Sequence, residues 1–282
     1  MIRALINIYK GELAMESDGQ SSNTLANKYF SKRTIDEIIA SKSYVENIWG
    51  DLYGHLDRHY RNEYYYKNTL FNKVVLGKYS LNTTYALSEV TINKSRADFL
   101  VVNSKKVFIV EIKTELDSLE KLIYQIEDYY KVCSIVYILV SEDKYYPTYK
   151  LLRDYKVGIC VLTKSNNISV KKSPEIDSSK LSHEELFKLL RKKEYQSLVE
   201  KEFGFDEGIK EVHKFKAYLN KFKTLEIEYA QKMVFKYINR RKNAVNAEYI
   251  TRVPLQIRWL VYQSNLNRKK YERLLKNIEG GN

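Results

Sequence analysis

The sequence predicts an α/β protein: a mixed sheet flanked by helices, preceded by a helical segment and followed by an all-helical region. Three observations predict this class. Apolar runs of strand length recur between residues 84 and 162. Helical spacing of apolar residues falls before and between those runs. Beyond residue 172 the alternation stops and long charged helical patterns take over.

The elements follow in order. Residues 1–60 are polar and mostly helical in pattern, interrupted by the loop-like stretch Glu16-Ser17-Asp18-Gly19-Gln20-Ser21-Ser22-Asn23. Thr34 and Glu37 have the spacing of a capping box and mark a helix start. Residues 62–77 read as a helix with Tyr66, Leu70, Val74 and Val75 on one side. Thr84 to Ile92 and Ala97 to Asn103 read as strands joined by a turn at Asn93-Lys94-Ser95. Lys106 to Lys113 is a third strand. Ser118 to Cys133 is a helix, with Leu119, Leu122, Ile126 and Tyr129 at helical spacing. Ile135 to Ser141 is a fourth strand, followed by a short helix near Leu151 to Tyr155 and a strand at Val157 to Leu162. The core order is therefore helix, three strands, helix, strand (αβββαβ), over residues 61–172. Residues 173–282 form the third zone, with a helix start at Ser182-His183-Glu184-Glu185.

Composition narrows the function. The 282 residues carry 48 Lys and Arg against 35 Asp and Glu, a net charge of +13. Nucleic acid or an anionic surface suits that balance, and an acidic binding surface on this chain suits it less, so the expected partner carries phosphates. The excess is uneven. Residues 180–282 hold 23 basic and 13 acidic side chains, whereas the first 179 hold 25 and 22. Cys133 and Cys160 stand 27 residues apart without a CxxC pair, which argues against a zinc ribbon or a disulfide scaffold and for two buried small apolar residues. The first ten residues hold an apolar stretch too short for a signal peptide, and the apolar runs elsewhere are too short to span a bilayer. A soluble, cytoplasmic chain is expected.

The chemistry concentrates in two adjacent strands. On the strand ending Val110-Glu111-Ile112-Lys113, Glu111 and Lys113 share a face. Both faces begin apolar, so ending one of them on an acid and a lysine is costly unless the pair is matched or holds an ion. Asp98 opens the preceding strand, and a hairpin through Asn103-Ser104-Lys105 brings it level with Glu111 and Lys113. Two carboxylates and an ammonium together suit a hard divalent cation (Mg²⁺ or Mn²⁺) acting on a phosphate. Arg96 shares the face of Asp98 and is placed either to bind a phosphate or to pair with that acid.

The pattern of Asp98 followed by Glu111-Ile112-Lys113 at the end of the next strand resembles the PD-(D/E)XK nuclease superfamily, whose core has the order αβββαβ. Ala97 stands where that family nominally has proline. Gln125 and Tyr129, four apart on the next helix, resemble the Q-x-x-x-Y element of some branches. A closer resemblance, over about residues 62–145, is to a locus-named (sce-type) branch of bacterial and mobile-element proteins. It is carried by Asn62-Glu63-Tyr64-Tyr65-Tyr66-Lys67-Asn68, Leu76-Gly77-Lys78-Tyr79-Ser80-Leu81-Asn82-Thr83 and Glu111-Ile112-Lys113-Thr114-Glu115-Leu116-Asp117-Ser118-Leu119.

The resemblance implies a restriction-endonuclease-like core and a Mg²⁺- or Mn²⁺-dependent phosphodiesterase, an endonuclease favouring DNA over RNA, in a mobile-element or phage-defence setting. It assigns Asp98, Glu111 and the Ile112 carbonyl to the metal, and Lys113, with Gln125 and Tyr129, to catalysis. Glu63 and Glu89 compete for the role of an additional metal ligand. Against that, Glu63 has an ordinary helical partner in Lys67, Glu89 reads equally as an exposed strand-end charge, and Glu111–Lys113 reads as a plain salt bridge.

Two other groups complete the reading. Asp51, His55 and His59 are four apart in turn, but Leu56 stands where a zinc-peptidase helix needs glutamate, so a polar helix face is expected. The C-terminal helices interleave lysines with aromatics, and Arg240-Arg241-Lys242 is their densest cationic cluster, the expected contact to nucleic acid. Two alternatives from other classes stand beside the nuclease. One is a non-catalytic nucleic-acid-binding module on the same fold; the other is an adaptor for a protein partner, with a homo-oligomer also compatible.

Overall fold

A computed structural model describes residues 46–279 together with Asp36 and Ile39. The capping pair Thr34 and Glu37 and the loop at 16–23 lie outside the described residues. The chain divides into two compact units, one of residues 83–242 and one that joins 1–82 to 243–282.

The larger unit holds a six-stranded mixed sheet in the order β1-β2-β3-β4-β5-β6. Its strands are β1 Thr84–Ile92, β2 Ser95–Asn103, β3 Val107–Lys113, β4 Val136–Ser141, β5 Gly158–Leu162 and β6 Ile168–Lys172. β1–β2 and β2–β3 are antiparallel, β3–β4 and β4–β5 parallel, and β5–β6 antiparallel. The α/β class and the mixed sheet are as the sequence predicts. So are the three strands, helix and strand that follow residue 83.

Three differences have physical reasons. β6 was not predicted, because this edge strand carries Lys171 and Lys172 and no side chain fully buried, so its alternation is faint. The helix expected at 118–133 is Leu122–Tyr130, since the Asp117 carboxylate caps a turn by accepting from the Thr114 N–H and hydroxyl, both at 2.7 Å. The helix expected near 151–155 lies earlier, at Tyr145–Leu152, where Pro147 fits the first turn.

We number helices in chain order: α1 Glu46–His59, α2 Glu63–Leu70, α3 Leu122–Tyr130, α4 Tyr145–Leu152, α5 His183–Lys188, α6 Lys192–Phe203, α7 Lys214–Phe222, α8 Ile227–Asn239, α9 Ala244–Tyr249, α10 Arg258–Gln263 and α11 Arg268–Glu279. The compact units cut across the zones read from composition. Helices α5–α8, placed by charge in a separate basic region, belong to the sheet's own unit. Leu186, Phe187, Leu198, Phe222, Val234 and Ile238 share one core with Leu100, Ile109, Ile138 and Val161. Their charges face outward while an apolar stripe packs inward, which is ordinary helix amphipathicity.

Residues 62–77, expected as the first helix of the nuclease-like core, fall in the other unit. They also change pitch: α2 gives way to a π-helical segment at Phe71–Leu76. This unit is organised around Asn68, buried on α2. Its amide donates to the Tyr53 hydroxyl and to the Leu255 carbonyl, both at 3.0 Å, and its oxygen accepts from the Trp259 N–H at 3.1 Å. Phe71 packs on Tyr262 with ring centroids 4.6 Å apart. Sequence segments far apart thus close one core.

The β1–β2 hairpin is tied to α3 by a single carboxylate. Asp128 accepts from the Asn93 side-chain amide at 2.6 Å, the Ser95 hydroxyl at 2.7 Å and the Lys131 ammonium at 2.7 Å. Asn93 stands at φ 52°, a left-handed conformation that asparagine tolerates. Burial alone would raise the Asp128 carboxyl, but the donors from Lys131, Asn93 and Ser95 outweigh it and hold it below the usual value. The linkage follows: this stabilisation is present above the unfolded value near 3.8 and is lost as pH falls through the lower folded one. Asp128→Ala should therefore cost about 2–3 kcal/mol at pH 7 in thermal or denaturant unfolding. The difference from wild type should shrink at acid pH. A pH-independent difference would show that the carboxylate's charge is not what anchors the turn.

Candidate metal and phosphate site

β2 and β3 meet in a ladder from Val102↔Val107 to Phe99↔Val110. One step further the same register sets Asp98 opposite Glu111, on one face. Here the ladder gives way to a side chain: the Ile112 N–H donates to the Asp98 carboxylate at 2.7 Å. On the other side the β1–β2 pairs pass from Ser88↔Phe99 to Val90↔Ala97, which sets Glu89 across from Asp98. Glu89 stands at φ 57°, a costly conformation for a residue other than glycine, asparagine or aspartate. Three acids thus form one row across three strands.

Glu111 is the buried member, 1% exposed. One carboxylate oxygen accepts from the Lys113 ammonium at 3.0 Å and from the Gln125 amide at 2.6 Å. The other accepts from the Tyr129 hydroxyl at 2.5 Å. Lys113 also donates to the Gln125 carbonyl oxygen at 2.9 Å. Gln125 and Tyr129 lie four apart on α3, so one helix face supplies both. Burial, and next the charge of Glu111, push the Tyr129 phenol far above the ordinary tyrosine value, with a smaller push from Asp98. Tyr129 therefore stays protonated and serves as a fixed donor.

Glu111, Lys113, Gln125 and Tyr129 are thus brought into one hydrogen-bonded cluster, with Asp98 beside it across the ladder. The donor chemistry fits a hard cation. A carboxylate offers about four lone-pair positions, and Glu111 uses three of them here. With Asp98 it presents oxygen ligands only, next to a lysine that balances charge. Asp98, Glu111 and the Ile112 carbonyl could hold such an ion, and Glu89, with a carboxylate oxygen within 4.8 Å of one on Asp98, could join them.

The remaining predicted residues have partners of their own. Arg96 pairs with Glu89, Nε to carboxylate oxygen at 2.6 Å, rather than with Asp98, and its backbone carbonyl lies 3.0 Å from the Tyr129 hydroxyl. Glu63 opens α2 in the other unit and pairs with Lys67, the ordinary helical partner. Arg241 corrects an expectation. Its guanidinium is largely buried, held by both carboxylate oxygens of Glu194 and by the Leu189 carbonyl at 2.9 Å. It ties α6 to the end of α8 and is not presented to a ligand. Arg240 stacks over the Tyr237 ring at 4.7 Å and stays exposed, and Lys242 reaches the Asn239 side chain at 3.4 Å.

His55, expected on a polar face, is buried with its ring 4.4 Å from that of His59. Cys133 and Cys160 are both buried and carry free thiols, as expected. Among the described residues no helix is long and apolar enough to cross a membrane. Sequence reading missed Asp128, although it stands one residue from Tyr129. The signal available was an acid on the buried side of an otherwise apolar helix face.

Residues 57–277 match the family described as Bacteriophage P4 protein cII, over a span that enters both compact units. No curated protein and no solved structure matches the chain.

Proposed function

The chain belongs to the Bacteriophage P4 protein cII family, and we propose that its sheet unit is a metal-dependent nuclease of the PD-(D/E)XK type that hydrolyses phosphodiester bonds, with DNA as the favoured substrate. The observation that carries this reading is the convergence of Glu111, Lys113, Gln125 and Tyr129 at the end of β3, with Asp98 facing Glu111 across the ladder. A plain surface salt bridge needs none of the other three. Here a buried acid is held in one orientation by three side chains on two elements, the kind of support that a precise ligand position requires.

A bound divalent cation supplies charge neutralisation at the phosphate and a more acidic water. The chain's own groups do the rest. Asp98 and Glu111 orient the ligand shell. Lys113 donates to a water or phosphate oxygen and stabilises the charge that builds on the phosphate. Gln125 and Tyr129 keep Glu111 fixed in orientation. Hydrolysis forms a P–O bond from the water oxygen and breaks the bond to the leaving sugar oxygen, which takes up a proton.

Purified protein incubated with supercoiled plasmid and with labelled single- and double-stranded oligonucleotides tests the reading. Cleavage is expected with Mg²⁺ or Mn²⁺ and none with EDTA. Absence of cleavage of any substrate with either metal would sink it. Binding without cleavage would instead favour a nucleic-acid-binding module.

A further inference from the structure

A groove of about 770 Å³ opens on the sheet unit at the turn between β2 and β3, lined on its other side by α8. Along β2 it stands about 17 Å from Asp98, five residues away, so it is separate from the acid cluster. Six cations line it: Lys105, Lys106, Lys232, Lys236, Arg240 and Lys242. Among the described lining residues Glu228 is the one acid.

The charge is both concentrated and available. On α5–α7 many lysines are neutralised by neighbours: Lys188 by Glu184 and Glu185, Lys192 and Lys214 by Glu211, Lys221 by Asp206. None of the six groove cations forms an ion pair among the described residues. Lys232, Lys236 and Arg240 follow one another at four-residue steps, a stripe rising about 6 Å per step along one helix face.

Both walls are fixed in place. On the turn, Asn103 donates to the Thr84 hydroxyl at 2.8 Å and accepts from the Lys105 N–H at 2.9 Å. On α8, Gln231 donates to the Val132 carbonyl at 2.8 Å, and Asn239 to the Thr83 carbonyl at 3.0 Å. Six like charges held side by side on rigid walls repel one another unless a polyanion lies between them.

We infer that this groove binds the phosphate backbone of a nucleic-acid strand, tracking successive phosphates with the α8 stripe on one side and Lys105 and Lys106 on the other. The occupant is a strand rather than a mononucleotide because the cations are spread along a line. Recognition is by charge and so is independent of base sequence. The groove differs from the Arg240-Arg241-Lys242 cluster expected from sequence: Arg241 drops out, and Lys105, Lys106, Lys232 and Lys236 enter. Binding here does not require cleavage at the acid cluster.

The test is fluorescence anisotropy of a labelled 20-nucleotide DNA strand with the full chain in EDTA, at several KCl concentrations. Wild type should bind with a steep salt dependence. The double variant Lys232→Gln with Lys236→Gln, both exposed positions, should weaken binding at least fivefold at 100 mM KCl. It should also reduce the slope of log K against log salt by about 1.4, two phosphates at roughly 0.7 each. Lys105→Gln with Lys106→Gln, on the opposite wall, should do the same. EDTA removes the divalent cation that cleavage requires, so the binding read here stands or falls separately from the nuclease reading. Unchanged affinity and slope in both double variants, with melting temperatures at the wild-type value, would overturn it. Displacement of the DNA by a 20-residue polyglutamate at equal concentration would overturn it as well, since the groove would then be reading charge on a peptide.

Discussion

Asp98→Asn should lower the rate of phosphodiester cleavage about 100- to 1000-fold, while the melting temperature stays within about 2 °C of wild type. The substitution is nearly isosteric. The asparagine oxygen can still accept from the Ile112 N–H, the contact that replaces the ladder at this point. What it loses is the negative charge a divalent cation needs. Lys113→Ala should cost as much activity but is a less clean probe, because it leaves the buried Glu111 carboxylate with two neutral donors. Both rates are read from the loss of supercoiled plasmid under single-turnover conditions. Cleavage by Asp98→Asn within about threefold of wild type would remove this acid from the chemistry.

Glu111→Ala should lower stability by about 3–5 kcal/mol, because it strands an ammonium that is itself largely buried. For a unit of this size that is a fall of about 10 °C in melting temperature by calorimetry. Replacing both partners, Glu111→Leu with Lys113→Met, should be milder than the single change, since no uncompensated charge remains. A single-variant shift below about 2 °C would mean that the cluster relaxes freely and is not the rigid support inferred from its four short contacts. The two predictions separate the roles of the neighbouring acids: Asp98 acts on activity with little effect on the fold, and Glu111 acts on both.

The strands bearing the cluster were legible in the sequence because their signals are local. Thr84–Ile92 was bounded correctly by its turn residues, and Lys113 was placed at the end of its strand by the apolar run before it. Gln125 and Tyr129 were singled out by their resemblance to the Q-x-x-x-Y element, and their four-residue step put both on one helix face. What escaped was tertiary. Residues 62–77 look like a neighbour of the strands because they precede them, but Asn68 and Phe71 find their partners 191 residues away, at Trp259 and Tyr262. The charge of the C-terminal zone suggested a separate region, whereas its helices α5–α8 close the core of the sheet. The same holds for single residues. Arg241 and Arg240 are indistinguishable by sequence, yet one is spent on Glu194 and the other faces the groove. Lys105 and Lys236 are 131 positions apart, so only the fold shows that they share a surface.

We propose that Asp98 and Glu111 hold a divalent cation. Titration calorimetry with Mn²⁺ alone, on the full chain without nucleic acid, tests it most directly. Wild type should show one site per chain, and Asp98→Asn should bind at least tenfold more weakly at an unchanged melting temperature. No heat of binding up to millimolar Mn²⁺, or equal affinity in wild type and Asp98→Asn, would contradict it.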